Sequence, residues 1–221
     1  MKKSKRTIVS IILDETGSMQ SCKQATISGF NEYLKTLKKI KNQTLLTLTK
    51  FNSSKTEIVY KNKGLKDVPE LNDQGYMPDQ LTPLYDAIGK TLNSLKKEVK
   101  KGDRIISVII TDGEENASIE YKRDDMFTLI KELEKKGWNF VFLNANQDSW
   151  QKRDFVGYAF QGSGLGGNGV ASTMTFGANP VGVTAAFQAM GNVTTATASG
   201  DAKLVRVVVN ALTNADGSLK Q

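Results

Sequence analysis

Three short runs of apolar and β-branched residues constrain this chain more than anything else in it. They are residues 7–13 (TIVSIIL), 104–110 (RIISVII) and 138–143 (WNFVFL). Each has the length of a strand and lacks polar alternation, so each reads as a strand covered on both faces. Helical patterns lie between them. Ile27, Phe30, Leu34 and Leu37 recur three or four apart within residues 23–40. Leu84, Ala87, Ile88, Leu92 and Leu95 do the same, as do Met126, Leu129, Ile130 and Leu133 within residues 121–136. Thr82 is placed to cap the second helix, with Pro83 at its first helical position. Gly102 and Gly137 are stop signals for the second and third. Residues 45–51 and 57–60 flank the polar turn 52–54 and read as an antiparallel hairpin at a sheet edge. Strand alternating with helix predicts a doubly wound α/β domain, mostly parallel, with one antiparallel edge strand and helices on both faces.

The sequence changes character towards its C-terminus. Residues 148–155 read as a short helix, 162–167 (GSGLGG) as a glycine-rich loop, and 180–190 as another short helix. The glycine-rich segment matches no phosphate-binding fingerprint, because no Gly-Lys-Ser/Thr follows it. Residues 192–200 are low in complexity, and 203–209 (KLVRVVV) read as a strand that extends an edge or pairs with a neighbouring chain. The expected organisation is one domain over residues 1–200, best supported over 7–146, and an extension over 201–221 whose place the sequence leaves open.

Composition narrows the function classes. The chain has 221 residues, one cysteine and no histidine. Without histidine there is no imidazole general acid–base chemistry, no His-ligated zinc and no His-containing triad. A lone Cys22 gives no disulfide framework. The absence of a membrane-spanning apolar stretch and of a leader pattern points to a cytoplasmic protein, or a virion-associated one if it is phage-encoded. The net charge of +7 arises from 30 Lys and Arg against 23 Asp and Glu. Those lysines are spread along helices and turns without interleaved aromatic residues, so a lysine-rich soluble surface is favoured over a nucleic-acid partner.

Chemistry concentrates in three segments. Asp14, Thr16 and Ser18 stand in D-E-T-G-S directly after the first buried strand. Thr82 sits at a loop-to-helix junction, and Asp112 follows the second buried strand in T-D-G-E. In an open parallel sheet the loops after strand ends converge on one rim. Two carboxylates and three hydroxyls could therefore surround one point and hold a hard cation through oxygen alone.

In these motifs the chain resembles the von Willebrand factor A (VWA) family, in the manner of its stand-alone bacterial and phage members. The family's metal-ion-dependent adhesion site has Asp-x-Ser/Thr-x-Ser, then a separate threonine, then an aspartate often found as Thr-Asp-Gly. These fall on Asp14, Thr16 and Ser18, on Thr82, and on Asp112. The resemblance covers residues 7–146 well and the part after Phe155 weakly. It implies a bound Mg²⁺, with Mn²⁺ or Ca²⁺ as alternatives, and a protein partner that gives the ion an acidic residue. It implies binding rather than turnover; the lack of a bilayer-spanning stretch argues separately against a membrane partner.

Each residue also has a plainer reading. Asp14 could be a turn residue and Ser18 a helix cap. Glu15, Glu114 and Glu115 read as solvated loop acids, Asp86 as a loop-bonding residue, Asp148 as a cap, and Cys22 as core. Trp138 is expected to pack at a strand edge and Trp150 to be an exposed contact. Two other functions stay open: a self-associating structural or assembly protein, of a virion if phage-encoded, and a metal-dependent phosphoester hydrolase. The second lacks a visible general base or phosphate clamp.

Overall fold

The computed structural model describes residues 6–144, 171–177, 179–212 and 219. Six strands form one sheet in the order β3-β2-β1-β4-β5-β6. They are β1 (Thr7–Asp14), β2 (Thr44–Asn52), β3 (Lys55–Gly64), β4 (Arg104–Thr111), β5 (Asn139–Asn144) and β6 (Ala171–Thr175). All neighbours pair in parallel except β2 and β3, which form the antiparallel hairpin. Its turn is built by Asn52, whose Oδ1 accepts from Ser54 N at 3.0 Å and Lys55 N at 3.1 Å.

The helices are α1 (Lys23–Lys38), α2 (Leu84–Lys96), α3 (Arg123–Lys135), α4 (Pro180–Ser199) and α5 (Ala202–Leu212). Alternation along the strands sorts the core into two faces. Val9, Ile11 and Leu13 of β1 pack with Phe30 and Leu34 of α1 and Phe187 and Met190 of α4. Ile8 and Ile12 point the other way, towards Leu84, Ile88 and Leu92 of α2 and Ile130 and Leu133 of α3. The two layers of helix explain why β1, β4 and β5 are continuous apolar runs.

Several expectations are corrected in the C-terminal part. The short helix and low-complexity stretch expected over 180–200 are one helix, α4. It is capped by Asn179, whose side chain accepts from Gly182 N, and it stops at Gly200 with φ 77°. Residues 203–209 are helix rather than strand. Val205, Val208 and Leu212 pack against the α1–α4 core, and that spacing suits a helix face despite the β-branched run. Strand β6, over residues that carry no pattern of their own, pairs with β5 from Phe140↔Ala171 to Asn144↔Thr175. Thr82 does not cap α2: Pro83 holds the cap position, with no side-chain hydrogen bond. The helix expected over 148–155, the glycine-rich loop, Asp148 and Trp150 lie outside the described residues. Trp138 is buried and stacks on Phe140, ring centroids 6.3 Å apart. Among the described residues no helix is long and apolar enough to cross a membrane.

Candidate functional site at the carboxyl rim

The strand order reverses at β1. The chain steps from β1 to β2 on one side and returns to β4 on the other, so the ends of β1 and β4 flank a switch point of the sheet. Asp14 is the last residue of β1, and Asp112 follows the last residue of β4. All five residues singled out in the sequence come together there. The Asp14 carboxylate accepts from Thr16 N at 2.8 Å and from Thr111 Oγ1 at 2.5 Å. Thr16 Oγ1 lies 3.1 Å from Ser18 Oγ, which donates to Asp112 Oδ1 at 2.6 Å. Thr82 closes the group from the α2 side. A methyl group placed on Gly113 would stand 3.1 Å from Thr82 Oγ1 and 3.4 Å from Ser18 Oγ, so glycine keeps this space clear.

Burial sets the electrostatics. Asp14, Thr16, Thr82 and Asp112 are all buried, and Ser18 is exposed, so the cluster meets solvent on the Ser18 side. Burial pushes the Asp14 carboxyl up to about 6, against the pull of hydrogen bonds from Thr111 and Thr16, with the charge of Asp112 adding to the rise. Burial also raises Asp112, opposed by its bond from Ser18. Tyr76 is buried beneath the rim and donates to Asp14 O at 2.6 Å. Burial and the charges of Asp14 and Asp112 hold its phenol well above the ordinary value.

The residues around the cluster brace it. Glu15 is no solvated acid, as the sequence suggested, but is buried. Its Oε1 accepts from Lys50 Nζ at 2.9 Å and from Met77 N at 2.8 Å, and Lys50 also donates to Gly75 O at 2.7 Å. Asp79 N donates to Glu15 O and Gly17 N to Gln80 O, both at 3.0 Å, tying residues 75–80 to the loop after β1. Gln80 has φ 71°, a left-handed conformation uncommon for a side chain of its kind and held here by that tie. Glu115 accepts from Tyr85 N, Ala117 N and Ser118 N, while Asp86 takes the amides of Ile119, Glu120 and Tyr121. Glu114 is exposed, as expected of a loop acid, and Cys22 is core.

The donor set suits a hard divalent cation: every candidate donor is oxygen, two are carboxylates, and Asp14 is hydrogen-bonded by neutral groups. Among the described residues no three or more Asp, Glu, Cys or His side chains gather as metal ligands. An ion held here would lean on hydroxyls and water beside its two carboxylates.

No family model and no curated protein matches the sequence. Solved structures do match the fold. A von Willebrand factor type A protein from Catenulispora acidiphila superposes with a TM-score of 0.61 at 13% identity, over 87% of this chain and 43% of that one. The fold is VWA-like. A PilB minor pilin of Streptococcus sanguinis shares it at TM-score 0.61 and 12% identity, over 88% of this chain and 63% of the pilin. A proximal thread matrix protein from the mussel byssus follows at 0.59 and 10%, over 87% and 47%. The chain thus spans 43% to 63% of the length of these three structures. In this VWA-like sheet the candidate cluster occupies the carboxyl rim at the switch point.

Proposed function

We propose that the chain is a protein-binding module whose working surface is the carboxyl rim, engaged through a divalent cation. The observation that carries this reading is the convergence of three distant segments on one point: Ser18 Oγ at 2.6 Å from Asp112, beside Asp14 and Thr16, with Thr82 across Gly113. Asp14 and Asp112 would supply the charge, and Thr16, Ser18 and Thr82 neutral oxygens. When bound, Mg²⁺, or Mn²⁺ or Ca²⁺ in its place, would offer an open coordination position to a carboxylate of the partner. The chain's part is to hold these oxygens on braced loops and to leave the Ser18 side open.

Binding is favoured over catalysis because the chain has no histidine and both carboxylates would be engaged as ligands of the ion, which leaves neither to act as a general base. Calorimetric titration with Mg²⁺ and Mn²⁺ tests the cation. Affinity should fall severely in Asp14→Ala and Asp112→Ala and less in Thr82→Ala, because a charged ligand contributes more to a hard ion than a neutral one. Equal affinity in wild type and Asp14→Ala would sink the proposal.

A second reading has support of its own. The pilin and the byssus protein are components of fibrous assemblies by their names, and both share the fold. A role in assembly or adhesion, with the partner a neighbouring subunit, is the form of protein binding that these relatives favour. Light scattering with and without chelator separates the two. An oligomer that persists after chelation supports a structural role without the cation, whereas one that dissociates places the rim inside the assembly contact.

A further inference from the structure

Among the described residues the large hydrophobic side chains left exposed are Met77, Leu81, Ile119, Val181 and Leu204. The first three stand on the loops that form the candidate site, 61%, 56% and 91% exposed respectively. Leu81 directly precedes Thr82. Met77 lies in the segment tied to Glu15, next to Asp14. Ile119 belongs to the loop after Asp112, whose Asn116 is bonded to both N and O of Thr82.

Their exposure does not come from slack backbone. Leu81 N donates to Ser53 Oγ at 3.2 Å, and Leu81 O accepts from Ser53 N at 2.9 Å. Met77 N is held by the buried Glu15 carboxylate, itself paired with Lys50. Ile119 N donates to Asp86 Oδ2 at 3.0 Å. Each apolar side chain is thus presented to water by an anchored amide, on loops further fixed by the Gln80 turn. A backbone held in this way adds little loop-ordering cost on docking, and a partner that covers the three side chains gains their burial.

The charges nearby narrow the partner. Asp79 and Glu114 are exposed on the same loops and repel a densely acidic surface. We propose that Met77, Leu81 and Ile119 form an apolar collar that selects an extended peptide segment of the partner bearing a single carboxylate flanked by apolar side chains. This rests on the cation-mediated reading above and adds to it the source of selectivity. The carboxylate sets the position of the segment, and the collar contributes a share of the affinity comparable to that of the carboxylate.

Fluorescence polarisation with the full chain in MnCl₂ tests this with labelled synthetic peptide pools. The first pool has a central aspartate flanked by Leu, Ile and Phe; the second, the same aspartate flanked by Ser, Asn and Gly; the third, the first pool's flanks around asparagine. The first pool should bind about tenfold more tightly than either other pool, with little dependence on salt. The triple variant Met77→Ser, Leu81→Ser, Ile119→Ser should lose that preference while binding Mn²⁺ and melting as the wild type does. Mn²⁺ binding with equal affinity for the first two pools, or an unchanged preference in the triple variant, overturns the collar alone. Failure of Mn²⁺ to bind the wild type overturns the cation reading and the collar's place in it.

Discussion

Burial makes the Asp14 carboxylate costly to the folded chain when a chelator keeps cations away. Its folded-state value of about 6 lies above the ordinary 3.8. Between those values the folded state holds more protons than the unfolded one, so stability falls as pH rises through the window and is lowest above it. The full shift corresponds to roughly 3 kcal/mol. Asp14→Asn removes the charge while keeping the geometry, since Thr111 Oγ1 can turn its proton to Gly113 O, 3.3 Å away, and accept from the new amide. In EDTA this variant should be more stable than wild type near neutrality, and its thermal midpoint should lose much of the rise on acidification expected of wild type. The same dependence on pH in both proteins would show that Asp14 is not the group responsible. At this scale the motif residues were legible because Asp14, Thr16, Ser18, Thr82 and Asp112 are identified by type and spacing. Glu15 was not. An acid in a polar loop reads as solvated, and its partner Lys50 stands on another strand, a pairing that only the fold creates. Thr111 and Tyr76 were missed for the same reason, although a tyrosine in the polar stretch 61–80 is itself a signal of burial.

Packing between elements is tightest where α1 crosses α4. A methyl group on Gly29 would meet the Phe187 ring at 2.2 Å, and one on Gly191 would stand 3.3 Å from Thr36 Cγ2. Tyr33 reaches through the same contact to Thr194, with its hydroxyl 2.6 Å from Thr194 Oγ1. Gly29→Ala should therefore destabilise the chain by about 1–3 kcal/mol despite the better helix propensity of alanine. Adding Phe187→Leu should recover part of that loss, as read from urea midpoints; identical midpoints for Gly29→Ala and wild type would mean the helices separate at no cost. The small residues that allow this crossing are also why α4 was hard to read. Its first half carries Val183, Phe187 and Met190 at helical spacing, whereas the Gly, Ala and Thr of its second half give no apolar stripe of their own. Strand β6 had the same difficulty: polar ASTMT is drawn into the sheet by its register with β5 rather than by its own pattern. For 203–209 local β propensity pointed to a strand, but burial of Val205 beside α4 favoured the helix. The central strands were legible as unbroken apolar runs of strand length, the hairpin by its polar turn, and α1 to α3 by their helical periodicity.

For the whole molecule, the two faces of the sheet depend on different parts of the chain. The face under α2 and α3 draws its helices from residues before β5, whereas the face under α1 is completed only by α4 and α5. A chain ended after Gly177 should leave that second face covered by α1 alone, bind the dye ANS strongly and aggregate. One ended after Gly200 should keep the fold with a lower urea midpoint, having lost Val205 and its neighbours. Equal midpoints for the full chain and the longer truncation would argue that α5 adds no stability. The arrangement has a consequence at the ribosome. As synthesis proceeds, one side of the central sheet can close early while the other stays an oily slab until α4 and α5 emerge from the exit tunnel. During that interval the nascent chain is a natural client for holding chaperones. Its yield in a cell should then depend on how promptly translation delivers α4 and α5.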